Sequence, residues 1–164
     1  MVYLIGFMGS GKSTVGSLAA KMGGVPFLDT DRIIEKEQEK TVADIFQEKG
    51  EAHFRELETQ VLKQLSEKKK GIVSCGGGIV LKEENIRIMK ESGFLICLKA
   101  APATILERVR YSTGRPKLNG HMNLEYISAM MDERQPFYDR AKAIVLETDT
   151  KSVRELAKEI LKFL

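Results

Sequence analysis

Five short apolar runs punctuate the chain, each followed by a longer segment of mixed polarity. They are Val2-Tyr3-Leu4-Ile5, Val25-Pro26-Phe27-Leu28, Ile72-Val73-Ser74-Cys75, Phe94-Leu95-Ile96-Cys97-Leu98 and Ala143-Ile144-Val145-Leu146. Runs of this length, bounded by Gly, Asp or Pro, predict strands. The segments between them carry helical spacing. Ser13 to Met22 predicts a helix that Gly23-Gly24 stops, and Arg32 to Glu39 predicts a second. Thr41-Val42-Ala43-Asp44 resembles a capping box that opens a short helix through Phe46. After Gly50 a longer helix places Phe54, Leu57, Val61, Leu62 and Leu65 on one face. Further helices are predicted from Lys82 to Ser92, from Pro102 with Ile105, Leu106 and Val109 inward, and from Leu124 to Arg140, interrupted or bent near Pro136. Val153, Leu156, Ala157, Ile160, Leu161 and Leu164 form a closing amphipathic helix. Strands alternating with helices across short turns predict a three-layer α/β/α domain, residues 1–164, around a five-stranded parallel sheet.

Composition narrows the setting. At 164 residues the chain suits one domain, and a hydrophobic fraction of 43% with 30% charged residues is that of an ordinary globular protein. No apolar run approaches the roughly 18 residues of a membrane span, and the first strand begins at Val2, so a cytoplasmic protein without membrane attachment is expected. The net charge of +3, with basic and acidic residues interleaved, gives no case for nucleic acid. Lys68-Lys69-Lys70 precedes Gly71 at an expected helix end, where cations complement the dipole. Cys75 and Cys97 lie inside strand-like runs and read as buried thiols, and His53 and His121 are too few for a histidine-rich metal site.

The chemistry begins at Gly6-Phe7-Met8-Gly9-Ser10-Gly11-Lys12-Ser13, which fits G-x-x-x-x-G-K-[ST] between a strand and a helix. Such a loop, residues 6–13, turns its backbone N–H groups onto phosphate oxygens. Lys12 then reaches the terminal phosphates and the Ser13 hydroxyl is placed to ligate Mg²⁺. Other polar residues fall at strand ends where a doubly wound sheet converges on that loop: Asp29 and Asp31, Arg55, Gly76 to Gly78, Arg115 and Arg134. From spacing alone, several of these have a second reading. Asp29 or Asp31 also suits the cap of the helix near Arg32, Arg55 suits a pair with Glu51 or Glu58, and the three glycines suit a turn.

Taken together, Gly6 to Thr14, Leu28-Asp29-Thr30-Asp31, Ile45-Phe46, Gly50-Glu51, Phe54-Arg55-Glu56-Leu57-Glu58, Cys75-Gly76-Gly77-Gly78, Gly114-Arg115-Pro116 and Arg134 with Tyr138 closely resemble the shikimate kinases, P-loop kinases of the nucleoside-monophosphate-kinase type. The resemblance spans essentially the whole chain. It implies ATP-dependent phosphorylation of the shikimate 3-hydroxyl, with Mg²⁺, on the route to chorismate and the aromatic amino acids. Asp31, Lys12 and Arg115 are then catalytic. Gly9, Ser10, Gly11, Lys12, Ser13, Thr14, Arg108 and Arg115 bind ATP, Arg108 against adenine. Asp31, Arg55, Gly76, Gly77, Gly78 and Arg134 bind shikimate, Arg55 and Arg134 clamping its carboxylate. Ser13, and Asp29 through water, serve the metal. The acceptor-binding helices span about residues 31–60 and a lid loop about 111–123. A monomer with no obligate protein partner is expected.

The chain also departs from the common pattern. Lys117 follows Gly114-Arg115-Pro116 where an apolar residue is frequent, Glu39-Lys40 lacks a Gly often found there, and no acidic residue ends the third strand. Rival readings are a gluconate or nucleoside-monophosphate kinase, a GTP-driven switch, and an inactive ATP-binding module. No Asn-Lys-x-Asp guanine motif supports the switch, and Lys12, Ser13 and Asp31 together argue against inactivity.

Overall fold

A computed structural model describes residues 1–110 and 123–164. Five parallel strands, β1 (Val2–Ile5), β2 (Phe27–Asp29), β3 (Ile72–Ser74), β4 (Phe94–Lys99) and β5 (Ile144–Glu147), form one sheet in the order β2-β3-β1-β4-β5. Successive side chains alternate between its faces. Val2, Leu4, Ile96 and Leu98 pack on one side beneath α1 (Lys12–Gly23) and α7 (Val153–Leu161). Tyr3, Ile5, Val73, Leu95 and Cys97 pack on the other with α3 (Val42–Ser66), α4 (Glu83–Ser92) and α6 (Leu124–Ala141). A strand covered on both faces needs apolar residues at consecutive positions, which is why the strands read as unbroken apolar runs. Phe7, Ile105, Val109 and Ile127 make a third cluster between α5 (Pro102–Val109) and α6. No helix among the described residues is long and apolar enough to cross a membrane.

Several boundaries differ from the sequence expectation. α2 (Thr30–Gln38) begins two residues before Arg32, because the Asp29 side chain accepts from the N–H groups of Asp31 and Arg32 and starts the helix at Thr30. Asp31 therefore lies in the first helical turn. The short helix opened by Thr41 and the long one after Gly50 form a single element, α3, with one break: Gly50 has φ 81° and ψ 171°, a conformation open to glycine. The helix ends at Ser66, so Lys68 to Lys70 lie beyond it in the link to β3. α6 runs through Pro136 as one helix. A single turn of 3₁₀ helix, Ile79–Leu81, follows Gly78 and had no signal in the sequence pattern.

That turn is anchored from below. Asn85 on α4 donates to the Ile79 carbonyl at 2.9 Å and accepts from the Thr59 hydroxyl at 2.8 Å, and both Asn85 and Thr59 are buried. The bonds tie α3, α4 and the segment leaving β3 to one buried amide. Asn85→Ala strands the Ile79 carbonyl in a dry environment, at about 1–3 kcal/mol, while the Thr59 hydroxyl keeps the Arg55 carbonyl at 3.1 Å as its acceptor. The expected outcome is a loss of about 1–3 kcal/mol, read as a lower urea midpoint at unchanged slope.

Candidate active site

The loop leaving β1 turns sharply against the sheet. A Cβ at Gly6 would stand 2.3 Å from the Leu98 carbonyl oxygen, so this position admits only glycine. Lys12 is 8% exposed and its ammonium donates to the Gly6 and Phe7 carbonyls at 2.8 and 3.0 Å. Gly11 precedes α1 with no side-chain cap, and the first turn carries no acidic residue. The positive end of the helix is thereby left to an anion. Ser13 and Thr14 are exposed beside it, while Ser10 is buried. The Ser13 hydroxyl donates to Asp29 Oδ2 at 3.0 Å and lies 3.1 Å from the Ser74 hydroxyl. One Asp29 oxygen caps α2 and the other reaches the phosphate loop.

Beyond the loop opens a cavity of about 410 Å³ whose walls include Lys12, Ser13, Asp31, Arg55, Glu58 and Arg134. Gly76 to Gly78 form its floor, and their lack of side chains makes room for three charged groups. A Cβ at Gly76 would fall 2.7 Å from both Asp31 Oδ1 and Glu58 Oε1, and one at Gly78 would fall 2.4 Å from the Arg55 guanidinium. The Gly76 N–H donates to the Thr30 hydroxyl at 3.0 Å. The Gly77 carbonyl accepts from Arg134 at 3.1 Å and from the Tyr138 hydroxyl at 2.7 Å, which fixes α6 to the floor.

Arg55 packs near the Phe46 and Phe54 rings, 5.9 and 5.5 Å from their centroids. It donates to Glu51 through Nε and Nη2, and to the fully buried Glu58 through Nη1 at 2.6 Å. The helix-pair reading of Arg55 is therefore observed, and the same side chain also faces the cavity. Burial pushes the Asp31 carboxyl up to about 6, helped by the Asp29 carboxylate and opposed by Lys12. Burial likewise raises Glu58 to about 7, with Arg55 acting against it.

The structure thus brings Gly9, Gly11, Lys12, Ser13, Asp29, Asp31, Arg55, Gly76, Gly77, Gly78 and Arg134 to one cavity. Arg108 is set apart from that group: it donates to the Thr148 hydroxyl at 3.0 Å and toward the Gly9 and Ser10 carbonyls, behind the loop. Arg115 and the loop expected over 111–123 lie outside the described residues as far as Asn123, whose side chain caps α6. Glu58 and Ser74 also line the cavity, and the Thr30 hydroxyl accepts from the Gly76 N–H beneath it. None was a candidate site residue from the sequence: Thr30 and Glu58 stood only within the motif stretches, Glu58 also as a helix neighbour of Arg55. Cys75 and Cys97 are buried free thiols, as expected.

The likeness to known proteins spans nearly all of this frame. The family model described as shikimate kinase matches residues 8–164. A shikimate kinase of Thermodesulfovibrio yellowstonii is 37% identical over 98% of this chain and 92% of its own length. One from Persephonella marina is 42% identical, over 98% and 96%. The solved shikimate kinase from Acinetobacter baumannii, in complex with shikimate, superposes with a TM-score of 0.91 at 33% identity and covers 98% of this chain and 90% of its own. A phosphate loop facing two arginines and a raised carboxylate, within a match this long, leads to one conclusion: the chain belongs to the shikimate kinase family.

Proposed function

We infer that this enzyme, an ATP-dependent kinase, transfers the γ-phosphoryl group to the 3-hydroxyl of shikimate and gives shikimate 3-phosphate and ADP. One observation carries the reading at the level of residues: Asp31, Arg55 and Arg134 line the same cavity as Lys12 and Ser13. Two guanidiniums at one end suit a carboxylate, since each charge-assisted hydrogen bond is worth about 1.5–3 kcal/mol. Asp31 lines the same cavity within electrostatic reach of both Lys12 and Arg55, and takes the role of orienting the acceptor hydroxyl and receiving its proton. Its raised affinity for a proton suits a base that is still ionised near neutral pH. Lys12 leaves the Gly6 and Phe7 carbonyls for the phosphates and neutralises charge on the transferring group. Gly9, Ser10, Gly11, Thr14 and Arg108 are assigned to ATP, Gly76 to Gly78 to the acceptor, and Arg115 to the closing lid.

The oxygen donors at the loop fit Mg²⁺. Ser13 and Asp29 offer one hydroxyl and one carboxylate, and among the described residues no cluster of three or more acidic, His or Cys side chains forms a cage. Mg²⁺ uses few protein oxygens and keeps several waters. When bound with ATP it would add positive charge at the β- and γ-phosphates, with Ser13 as ligand and Asp29 acting through water. We further assign the chain as one kinase domain that acts as a cytoplasmic monomer.

Coupled ADP release with ATP and Mg²⁺ tests the reaction: release is expected with shikimate and not with gluconate, CMP or no acceptor. Release with another acceptor would overturn the roles of Asp31, Arg55 and Arg134. Asp31→Asn is expected to lower kcat by about 10² to 10⁴ with little change in ATP affinity, and near-normal turnover would remove Asp31 from the chemistry. Arg55→Ala is expected to raise the shikimate KM by about 10- to 100-fold, a change checked by steady-state kinetics at saturating ATP.

A further inference from the structure

β5 ends the sheet beside β4, and Val145 stands opposite Cys97 in their register, on the same face. Cys97 is buried there, yet Val145 is 54% exposed, so the cover that α6 gives to β4 stops short of the edge strand. Between that edge and α6 lies a second cavity, of about 240 Å³. Phe7, Cys97, Val145 and Met131 make its apolar walls, at the seam between two of the core clusters. No described residue lines both this cavity and the one that holds Asp31 and Arg55. The two stand back to back at Tyr138, which lines the second while its hydroxyl reaches the Gly77 carbonyl in the floor of the first.

The polar groups around the second cavity are unequal. Met131, Gln135, Asp139 and Lys142 recur at three- to four-residue spacing, so α6 turns one stripe toward it. Gln135 donates to Asp139 Oδ1 at 2.6 Å, which engages that carboxylate within the helix. Lys99 has Glu147 at 3.9 Å. Lys142 gives its backbone N–H to the Asp139 carbonyl as α6 ends, and its ammonium has no acidic partner among the described residues. An apolar pit with an unpaired cation at its mouth matches a small ring that carries one negative charge. The size agrees, because a dry cavity of about 150 Å³ already holds benzene.

We propose that this cavity is a second small-molecule site, which takes a single-ring carboxylate with its ring against Phe7, Cys97 and Val145 and its anion at Lys142. No bond forms to the protein. Burial pushes the Cys97 thiol up to about 11, so it serves as apolar surface and not as a nucleophile. A ligand held here rests against the back of both functional loops, since the Phe7 carbonyl accepts from Lys12 and Tyr138 holds Gly77. The site does not depend on the roles given to Asp31, Arg55 or Arg134.

Benzoate is the probe, followed through the methyl resonances of Met131 and Val145 in the full chain. Saturable shifts are expected, with half-saturation on the order of 1 mM for so small a ligand. Benzamide, which keeps the ring and loses the charge, is expected to bind about fivefold more weakly, the size of an exposed ion pair. Lys142→Gln is expected to abolish that difference. Val145→Asp sets a carboxylate against the ring at a half-exposed position that the fold tolerates, and is expected to weaken benzoate at least about tenfold. Unmoved Met131 and Val145 resonances overturn the proposal, as does equal binding of benzoate and benzamide to the wild type. Affinity kept in Val145→Asp and lost in Arg55→Ala would place benzoate in the first cavity and overturn it too. Failure to phosphorylate shikimate would count against the acceptor reading alone and leave these shifts to decide the second site.

Discussion

The cavity depends on what is missing at Gly76 and Gly78. Three charged side chains from two helices occupy the space that two methyl groups would take. Asp31 and Glu58 approach over the first glycine and Arg55 over the second, while Gly77 between them gives its carbonyl to Arg134 and Tyr138. The floor is therefore a short stretch of backbone with charge stacked directly on it. Because the segment leaves β3 at the carboxyl edge of a parallel sheet, it lies beside the loop leaving β1, and donor and acceptor ends share one crevice.

Electrostatics in this crevice follows from burial more than from any single pair. Taking Asp31 and Glu58 out of water raises both, and the nearby cations only partly offset that effect. A phosphoryl-transfer site gains from such an arrangement: a carboxylate that holds its proton more firmly is a better acceptor for the hydroxyl proton, provided it stays ionised at working pH. Asp29 belongs to a different environment. It caps α2 with one oxygen and meets Ser13 with the other, so a single side chain sets both the start of the helix that carries Asp31 and the polarity of the phosphate loop.

The phosphate loop and the alternation of strands and helices were legible in the sequence because their determinants are local: glycine spacing, a Lys-Ser pair, and apolar runs buried on both faces. Asp29 could not be assigned from spacing to the cap or to the phosphate loop, because it hydrogen-bonds to both. Glu58 was visible as the last residue of the Phe54-to-Glu58 stretch, three positions from Arg55, with no role of its own. Its complete burial comes from α2, α6 and the β3 segment, which lie far away in the chain. The 3₁₀ turn escaped detection because it is held by Asn85, a polar residue on an otherwise amphipathic helix. Lys68 to Lys70 were expected at a helix end, but the helix stops at Ser66. Pro136 signalled an interruption or a bend, and α6 is not interrupted there.

Gly50 divides the acceptor side of the molecule in a way that bears on how such a pocket diversifies. Val42 and Phe46 line the cavity from the segment before the break, while Phe54, Arg55 and Glu58 line it from the segment after. The first group is apolar and has no part in the chemistry; the second carries the ions. Substitutions at Val42 can therefore reshape the apolar wall of the cavity, whereas one at Phe46 also moves the surface on which Arg55 packs, and Gly50 itself tolerates no side chain without strain. Shape and charge come from different stretches of chain that meet at the Phe46–Arg55 contact, so Val42 is the position where the fit of the pocket can change while its ions stay in place.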